Sequence, residues 1–511
     1  MAVHIASFLN EFEVLSKRQP AAIAVVDART DRDITYKELT LMILKTARLL
    51  VSFGFKRDEV LVSLLPNSLE AILVFLATIH CGGKFAPISS QSSEREINEW
   101  IKLTKARLVI VPDSILNKNK QKLKSNGSSI ENISVEKIEN SKFPGGELFN
   151  GTPGGEIFIQ TSGTTGAPKA LVHEIDVLWS AAKSWVSLHE FINSQTRFLN
   201  YLPVSYLGGL FNLCLIPLAT GGSFVITQSF SGTSLLNFWS DVERFDVNTL
   251  WLVPTILRGI LTLHRRTGGR HIRSYKMIKG AFIGTAMIEG QTKRDAEIAF
   301  GFSILENFAL SETTFIASEV LGKLDHDNRT VGAVLPYVDV RLREVAVSDS
   351  SPPKTANEIQ VKTPFLFKGY YNSNGSIMQQ VDVDGYFSTG DLAMFDENNN
   401  LVLLGRSREI IKKGGYLVTL PEVEAIASQH PNVEEASAIS IPHEFYGEDL
   451  MLFVVFSDKK RGKEAIENLR VWLTEKLAKY KWPSEIKELY EMPKTASGKI
   501  QKFKLTEILD K

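Results

Sequence analysis

Short apolar runs alternate with longer amphipathic segments through the first part of the chain. Residues 60–65 form a run of six mostly apolar residues that ends at Pro66, which predicts a buried strand. A helical pattern follows over residues 69–80, and a second strand is predicted at 85–88. Strand, helix and strand in this order favour a parallel sheet.

Other segments give clear local signals. Thr35 and Glu38 have the spacing of a capping box, so a helix is predicted from there to residue 53. Residues 113–155 are rich in Asn, Lys, Ser and Gly, which indicates a surface connection with one short strand at 130–138. Between residues 170 and 310 the α/β alternation returns, with a helix predicted at 176–188 and strands at 198–202, 223–226 and 249–253.

The pattern changes again after residue 330. Strands and turns dominate to about residue 405, and a smaller unit with helices at 421–428 and 462–477 follows. A chain of 511 residues is too long for one hydrophobic core. We therefore predict a large N-terminal multi-sheet α/β domain with a β-rich subdomain (residues 1–405) and a small, mobile C-terminal α+β lid (residues 406–511).

Composition narrows the class of protein. The 58 basic and 58 acidic residues balance, so neither nucleic acid nor an anionic membrane is expected as a partner. Apolar runs fall short of the roughly 18 residues of a membrane helix, and the first residues lack the pattern of a signal peptide. Cys81 and Cys214 lie far apart in apolar surroundings and are interpreted as buried thiols. A cytoplasmic enzyme is expected.

The most informative chemistry lies in residues 159–173. Here a cluster of hydroxyls and glycines precedes a lysine and resembles a polyphosphate cradle, formed by Thr161, Ser162, Gly163, Thr164, Thr165, Gly166 and Lys169. Glycines allow tight turns that present N–H groups, and hydroxyls and an ammonium add donors. Ala167-Pro168 separates Gly166 from Lys169, so the Gly-Lys-Ser/Thr pattern of the common nucleotide loop is absent.

Four further motifs lie downstream, at 307–312 (Asn-Phe-Ala-Leu-Ser-Glu), 387–391 (Phe-Ser-Thr-Gly-Asp), 405–415 and 493–499. Together with the loop, and in this order, they resemble the adenylate-forming superfamily of acyl- and aryl-CoA synthetases, stand-alone adenylation enzymes and luciferase-like enzymes. The resemblance covers nearly the whole chain. It implies that ATP and Mg²⁺ convert a carboxylic acid to an acyl-adenylate, and that a thiol, most simply that of coenzyme A, then accepts the acyl group.

The resemblance also implies roles for individual residues. Thr161 and Glu312 match the positions that place Mg²⁺, and hydroxyl and carboxylate oxygens suit a hard cation. Lys499 matches the catalytic lysine that bridges the incoming carboxylate and the α-phosphate. The remaining implied ATP contacts are Gly284, Thr285, Ala286, Asn307, Phe308 (adenine stacking), Ala309, Ser311, Asp391 (ribose) and Arg406 (ribose). Arg408 matches the hinge of the lid, and Gly415 matches a glycine of the thiol tunnel.

The substrate is less well defined by the sequence. Tyr206, Leu207, Gly209 and Phe282 are expected in the acyl pocket. Related enzymes for amino acids carry Asp where Leu207 stands, and a buried ammonium without a counter-charge is costly. A fatty, aryl or similar acid with an uncharged tail is therefore favoured over an α-amino acid.

Three alternatives remain open. An acyl or peptidyl carrier protein presents the same thiol as coenzyme A, so it is the alternative acceptor. Oxygenase activity of the luciferase kind has no distinguishing mark in the chain. A binding protein on a decayed enzyme scaffold is disfavoured because Glu312, Asp391 and Lys499 are all present.

Overall fold

The computed structural model describes most of the chain. The described residues are 5–114, 128–141, 154–161, 169–230, 234–268, 272–285, 288, 290–322, 330–346, 355–372, 374–406, 409–413, 416–443, 447–457, 461–477, 479–495 and 498–509. Of the predicted site residues, Ser162, Gly163, Thr164, Thr165, Gly166, Ala286, Arg408 and Gly415 lie outside them. Much of the predicted surface connection at 113–155 also lies outside.

Numbered in chain order, the described strands are β1 (Ile23–Asp27), β2 (Arg32–Thr35), β3 (Val60–Ser63), β4 (Lys84–Pro87), β5 (Leu108–Ile110), β6 (Ser129–Glu131), β7 (Glu156–Thr161), β8 (Lys169–Glu174), β9 (Arg197–Asn200), β10 (Ser223–Ile226), β11 (Thr249–Leu252), β12 (Gly280–Ile283), β13 (Ile304–Leu310), β14 (Thr314–Ser318), β15 (Thr330–Val334), β16 (Asp339–Ala346), β17 (Thr355–Lys362), β18 (Gly369–Tyr371), β19 (Ile377–Met378), β20 (Phe387–Phe395), β21 (Asn400–Arg406), β22 (Ile410–Lys413), β23 (Tyr416–Thr419), β24 (Val433–His443), β25 (Gly447–Phe456) and β26 (Glu485–Glu488).

The described α-helices, numbered in the same way, are α1 (Phe8–Arg18), α2 (Tyr36–Ser52), α3 (Leu69–His80), α4 (Glu94–Thr104), α5 (Val135–Asn140), α6 (Ile175–Val186), α7 (Ile216–Ala219), α8 (Ser234–Arg244), α9 (Pro254–Thr267), α10 (Ile272–Met277), α11 (Gly290–Phe300), α12 (Leu420–Ser428), α13 (Lys463–Lys476) and α14 (Lys502–Glu507). A π-helix spans Gly208–Leu215, and a 3₁₀ turn spans Lys479–Lys481.

Local sequence signals explain where several helices begin. The Thr35 hydroxyl accepts from the backbone N–H of Glu38, and the Glu38 carboxylate accepts from the N–H of Thr35, so α2 starts with the predicted capping box. Ser93 and Glu96 form the same arrangement at α4. Each reciprocal pair satisfies backbone donors that have no partner within the helix.

The chain divides into two compact units. The first contains residues 1–326, 335–338 and 363–380, and the second contains 327–334, 339–362 and 381–511. The first unit holds an eight-stranded sheet in the order β19-β18-β8-β7-β4-β3-β5-β6 and a further run in the order β14-β13-β12-β11-β9-β10-β1-β2. Strands β3, β4, β5 and β6 are parallel, which confirms the sheet type predicted from the strand–helix–strand order.

The second unit is richer in antiparallel strands. One group runs in the order β16-β17-β20-β21-β15, and a separate five-stranded sheet contains β22 to β26. Helices α12 and α13 pack on the latter sheet around a core that includes Leu452, Val454 and Leu469. The predicted fold class, a multi-sheet α/β region followed by a C-terminal α+β part, is confirmed. The domain boundary after residue 405 and the mobility of the lid stay predictions.

Two local results differ from the sequence interpretation. The segment at 130–138 is a strand of three residues, β6, followed by helix α5. The segment 208–215 is a π-helix, and no periodicity in the chain had indicated one. None of the described helices is long and apolar enough to cross a membrane.

Candidate active site

A pocket opens in the first unit where the π-helix faces strands β11, β13 and β14. Including the space open to solvent at its mouth, it has a volume of about 480 Å³. The lining combines apolar and neutral polar side chains, from Tyr206, Leu207, Gly208, Phe211, Asn212, Trp251, Gly284, Thr285, Asn307, Ala309, Leu310, Ser311, Thr314 and Phe315. All of these side chains are uncharged, so the pocket suits a small ligand that is itself largely neutral.

The π-helix wall depends on a glycine and a buried asparagine. A Cβ atom at Gly209 would lie 2.3 Å from the carbonyl oxygen of Pro203, so only glycine fits there. The Asn200 amide donates to the carbonyl oxygens of Gly209 (3.0 Å) and Leu213 (3.2 Å). These two hydrogen bonds satisfy backbone carbonyl groups of the π-helix and so help to hold it. π-Helices are rare and occur frequently at functional sites.

The hairpin of β13 and β14 carries the 307–312 motif and forms the opposite wall. Asn307 is 7% exposed, and its side-chain oxygen accepts from the Trp185 indole (3.2 Å) and the Ser318 hydroxyl (2.8 Å). Phe308 is buried and lies opposite Ala317 in the hairpin. These contacts fix the backbone from which Ala309 and Ser311 reach the pocket.

Two hydrogen bonds tie this hairpin to strands β8 and β18. His173, at the end of β8, contacts the carbonyl oxygen of Ser311 through Nε2 at 2.6 Å, and burial lowers its pKa to about 4. The neutral imidazole therefore donates to this carbonyl. Tyr370 donates to Glu312 Oε1 at 2.6 Å, and the Lys169 ammonium lies 5.1 Å from the centre of the Tyr370 ring.

These contacts bring the two ends of the predicted phosphate site together. Lys169 closes the loop, Glu312 closes the hairpin motif, and Tyr370 contacts both. Glu312 also acts electrostatically on Tyr206, a residue of the pocket. Burial raises the pKa of Tyr206, and the negative charge of Glu312 raises it further. A cation and a carboxylate thus stand beside an uncharged pocket.

A buried ion cluster secures the far end of the hairpin. The Lys293 ammonium lies 2.5 Å from Glu319 Oε2 and 3.3 Å from Glu306 Oε1. Glu319 also accepts from the backbone N–H of Glu306 (2.7 Å). Burial raises the pKa of Glu306 to about 7, although the charge of Lys293 opposes that rise.

Sequence reasoning missed these supporting residues. The partner of Tyr370 lies 58 residues away along the chain, and those of Asn200 and Lys293 lie 9 to 26 residues away, beyond the reach of one helical turn. A polar Asn at the end of an apolar run was the one available signal for Asn200. Nothing in the local pattern distinguished Lys293 from a solvated lysine on a helix.

The second unit holds the remaining predicted residues. Asp391 on β20 and Arg406 on β21 are cross-strand partners, so the two residues assigned to the ribose share one register position. Asp391 is 7% exposed, and its backbone N–H donates to the Thr389 hydroxyl. An aspartate and an arginine are therefore directly opposite each other on neighbouring strands.

Lys499 lies on a tight turn near the C-terminus. The backbone N–H of Thr495 donates to the carbonyl oxygen of Lys499 (2.8 Å), and the Lys499 N–H donates to the Thr495 hydroxyl (3.1 Å). Gly498 has a φ of +83°, a conformation that favours glycine. The turn fixes the backbone while the exposed side chain of Lys499 extends from it.

The residues that the sequence assigned to the acyl pocket divide into two groups. Tyr206 and Leu207 line the pocket, together with Gly284, Thr285, Asn307, Ala309 and Ser311, which the resemblance implied as ATP contacts. Phe282 packs beneath it against Trp185 and Trp251, and Gly209 lies within the π-helix against Pro203. The roles of all these residues stay predictions.

The described residues fit a magnesium–polyphosphate pair better than a metal held by protein alone. They contain no group of three or more His, Cys, Asp and Glu side chains placed to hold an ion. Mg²⁺ usually takes one or two carboxylates and completes its shell with phosphate oxygens and water. Glu312, held by Tyr370, is such a carboxylate, while the Thr161 side chain is not described.

The α/β sheets of the first unit and the neutral pocket among them are consistent with the adenylate-forming enzymes that the sequence motifs resemble. The model of the AMP-binding enzyme family matches residues 12–371, more than half of the chain. The model of the AMP-binding enzyme C-terminal domain matches residues 422–499. The chain belongs to this family, and the resemblance inferred from its motifs is confirmed.

The individual relatives share about a quarter of their residues with this chain. Oxalate–CoA ligase of Arabidopsis thaliana is 27% identical over 487 residues, which cover 92% of each chain. The 4-coumarate–CoA ligase-like 6 protein of the same plant is 26% identical and covers 97% of this chain and 89% of its own. The solved structure of ATP-bound MatB from Rhodopseudomonas palustris has a TM-score of 0.81 at 23% identity and covers 98% of both chains.

Proposed function

We propose that the protein is an acid–thiol ligase that uses ATP and coenzyme A. In the first step a carboxylate oxygen of the acid attacks the α-phosphorus of ATP, and pyrophosphate leaves. In the second step the coenzyme A thiol attacks the acyl carbon, and AMP leaves with the bonding electrons. Activation is needed because a carboxylate is a poor electrophile, whereas AMP is a good leaving group.

The arrangement of Lys169, Tyr370 and Glu312 beside the pocket is the observation that carries this proposal. The first step brings an anion onto a polyanion, so fixed cations and donors should dominate its catalysis. In this proposal Lys169 contacts phosphate oxygens, and Glu312 would hold Mg²⁺. When bound, Mg²⁺ supplies positive charge that neutralises the phosphates.

The residues of the second unit take the complementary roles. Asp391 accepts from the ribose hydroxyls, and Arg406 reaches the same sugar. Lys499 supplies the ammonium that bridges carboxylate and α-phosphate in the first step. Arg408 is the hinge of the lid (residues 406–511), and Gly415 keeps the thiol path open in the second step.

Coenzyme A is the favoured acceptor because the full-length relatives described above are named as CoA ligases. A carrier-protein acceptor has no comparable support. The acid is a small one with an uncharged tail, since all the described pocket-lining side chains are neutral. Action in the cytoplasm is part of the same proposal.

The test separates the two steps. Lys499→Ala should reduce acid-dependent exchange of pyrophosphate into ATP by orders of magnitude, while thioester formation from preformed acyl-adenylate should be largely retained. Lys504→Ala, an exposed lysine on α14, is the matched control and should leave both steps unchanged.

Equal loss of both steps in Lys499→Ala would contradict its assignment to the first step alone. If the wild-type enzyme forms thioester only on a carrier protein, that protein and not coenzyme A is the acceptor. No pyrophosphate exchange with any acid in a broad panel would overturn the proposed enzyme activity.

A further inference from the structure

The carboxylate of Glu312 is held at one oxygen and open at the other. Glu312 is half-buried, and its Oε1 accepts from the hydroxyl of Tyr370 at 2.6 Å. Within the described part of the chain, Oε2 makes no hydrogen bond or ion pair, and it is not one of the buried polar atoms that lack a partner. Oε2 is therefore accessible, and one oxygen of this carboxylate is free to bind a cation.

The backbone of Glu312 is fixed without the Tyr370 hydroxyl. The carbonyl oxygen of Glu312 accepts from the backbone N–H of Phe367 at 2.7 Å. The carbonyl oxygen of the preceding Ser311 accepts from His173 at 2.6 Å. The hairpin is thus already attached to its neighbours through main-chain groups. What the Tyr370 hydroxyl adds is the orientation of the Glu312 side chain.

Tyr370 is itself held firmly on its strand. It lies on β18 between Leu171 of β8 and Met378 of β19. A Cβ atom at the preceding Gly369 would lie 2.6 Å from the carbonyl oxygen of Met378, so the strands pack closely here. The Tyr370 ring also meets the ring of Phe367 edge-on, with centroids 4.9 Å apart. A donor on a paired strand with a packed ring is fixed more precisely than one on a loop.

An anchored carboxylate of this kind suits a magnesium ion. Mg²⁺ demands near-ideal octahedral geometry, and at phosphates it is held by one or two carboxylates together with phosphate oxygens and water. Carboxylates that bind metals are in turn hydrogen-bonded, and losing such a partner typically costs about 10–100-fold in metal affinity or activity. A hydrogen bond from a hydroxyl to an ionised carboxylate is short and roughly twice as strong as one between neutral groups, and the 2.6 Å distance from Tyr370 fits this description.

We propose that Tyr370 is a positioning residue for Glu312: its hydroxyl holds one carboxylate oxygen so that the other is presented to the magnesium ion bound with ATP. This inference rests on the proposed function, because it takes ATP and Mg²⁺ as ligands of the site. Tyr370 acts through Glu312 and does not touch the reacting atoms. Its ring, 5.1 Å from the Lys169 ammonium, makes a separate contact, so the hydroxyl can be tested with the ring retained.

The coupling between metal and nucleotide measures this role. The Kd for the non-reacting analogue α,β-methylene-ATP is determined by calorimetry, once with EDTA and once with Mg²⁺. The ratio of the first Kd to the second gives the factor by which Mg²⁺ strengthens binding. In Tyr370→Phe this ratio should fall by about 10-fold, while the metal-free Kd should stay that of the wild type. A merely structural defect would weaken binding in both conditions and leave the ratio unaltered.

A double substitution shows whether Tyr370 acts through Glu312. Glu312→Gln removes the charge that attracts the cation, so its ratio should also fall. Adding Tyr370→Phe to Glu312→Gln should lower the ratio no further, because the group that Tyr370 positions has already lost its function. Independent and additive losses would overturn the inference.

Tyr371→Phe is the matched control. Tyr371 follows Tyr370 on β18, so its side chain points to the other face of the sheet, where it packs against Phe158 at 5.0 Å. Its hydroxyl makes no hydrogen bond with any residue that the structure describes. The ratio for this variant should equal that of the wild type. A fall as large as that of Tyr370→Phe would indicate a general loosening of β18 and would overturn the inference.

The dependence of pyrophosphate exchange on Mg²⁺ is a second measurement. In Tyr370→Phe the half-maximal Mg²⁺ concentration should rise by about 10-fold, and exchange should recover when Mg²⁺ is raised further. An unchanged ratio in Tyr370→Phe, or a wild type that binds the analogue equally well with and without Mg²⁺, would overturn the inference and leave the ligase assignment standing. A wild type that exchanges no pyrophosphate with any acid would overturn the ligase assignment and this inference with it.

Discussion

Removing the buried ammonium of Lys293 should destabilise the hairpin that carries the 307–312 motif. The Lys293 side chain is 8% exposed and contacts Glu319, which is 4% exposed, and Glu306, which is 15% exposed. Lys293→Met preserves much of the volume of the side chain but leaves two buried carboxylates without their cation.

The expected magnitude follows from burial. Removing one partner of a buried ion pair costs about 3–5 kcal/mol, because an uncompensated charge stays inside the protein. For a unit of this size we expect an apparent melting temperature lower by roughly 5–10 °C. The measurement is thermal unfolding followed by circular dichroism at pH 7.5.

The pH dependence provides a second measurement of the same effect. Burial already raises the pKa of Glu306 to about 7 and also raises that of Glu319. For a carboxyl whose folded pKa exceeds its unfolded value, the folded state binds more protons between the two pKa values, so stability falls as pH rises through that window. Without Lys293 both pKa values should rise further, so the deficit of Lys293→Met should shrink at pH 5.5.

Arg265→Met is the matched control. Arg265 forms an ion pair of the same 2.5 Å length with Asp295 on α11, but its side chain is 60% exposed. Exposed pairs contribute about 0–1 kcal/mol, so this variant should unfold within a degree or two of the wild type. A Lys293→Met protein no less stable than Arg265→Met would refute the reasoning.

Two further substitutions test the π-helix wall. Gly209→Ala places a Cβ 2.3 Å from the carbonyl oxygen of Pro203, so thermal stability and kcat/KM should both fall, whereas Gly290→Ala, whose new Cβ would lie 3.4 Å from its nearest neighbour, should have little effect. Asn200→Asp replaces two donated hydrogen bonds by a carboxylate facing the carbonyl oxygens of Gly209 and Leu213. It should cost about 2 kcal/mol or more and be partly rescued at low pH, where the carboxyl is protonated; equal stability at pH 5 and pH 8 would contradict this account.

Much of the local structure could be predicted from the sequence because it depends on neighbours along the chain. The capping box of Thr35 and Glu38 forms as predicted, since both partners lie within one helical turn. The helix from Leu69 and the strands around it follow from apolar runs and the residues that interrupt them, such as Pro66. The spacing of the motifs identified the enzyme superfamily, because each motif is a short run with its own chemistry.

The pocket between the π-helix and strands β11, β13 and β14 could be found only from the tertiary structure. Trp251 and Thr314 come from different strands, and neither was singled out by the sequence. Whether two such residues meet at one pocket depends on every segment that packs around them.

For the loop and motif residues, too, the sequence decides one part and the tertiary structure another. The sequence by itself placed Lys169 and Glu312 in motifs that predict phosphate and metal chemistry. Only the folded chain showed that Tyr370 contacts both, and that Lys293 holds the base of the hairpin on which Glu312 sits. The physical reason is that motif chemistry is carried by residues close in sequence. The contacts that position these residues join segments from 13 to about 200 residues apart, and the packing of the whole sheet decides which of those segments meet.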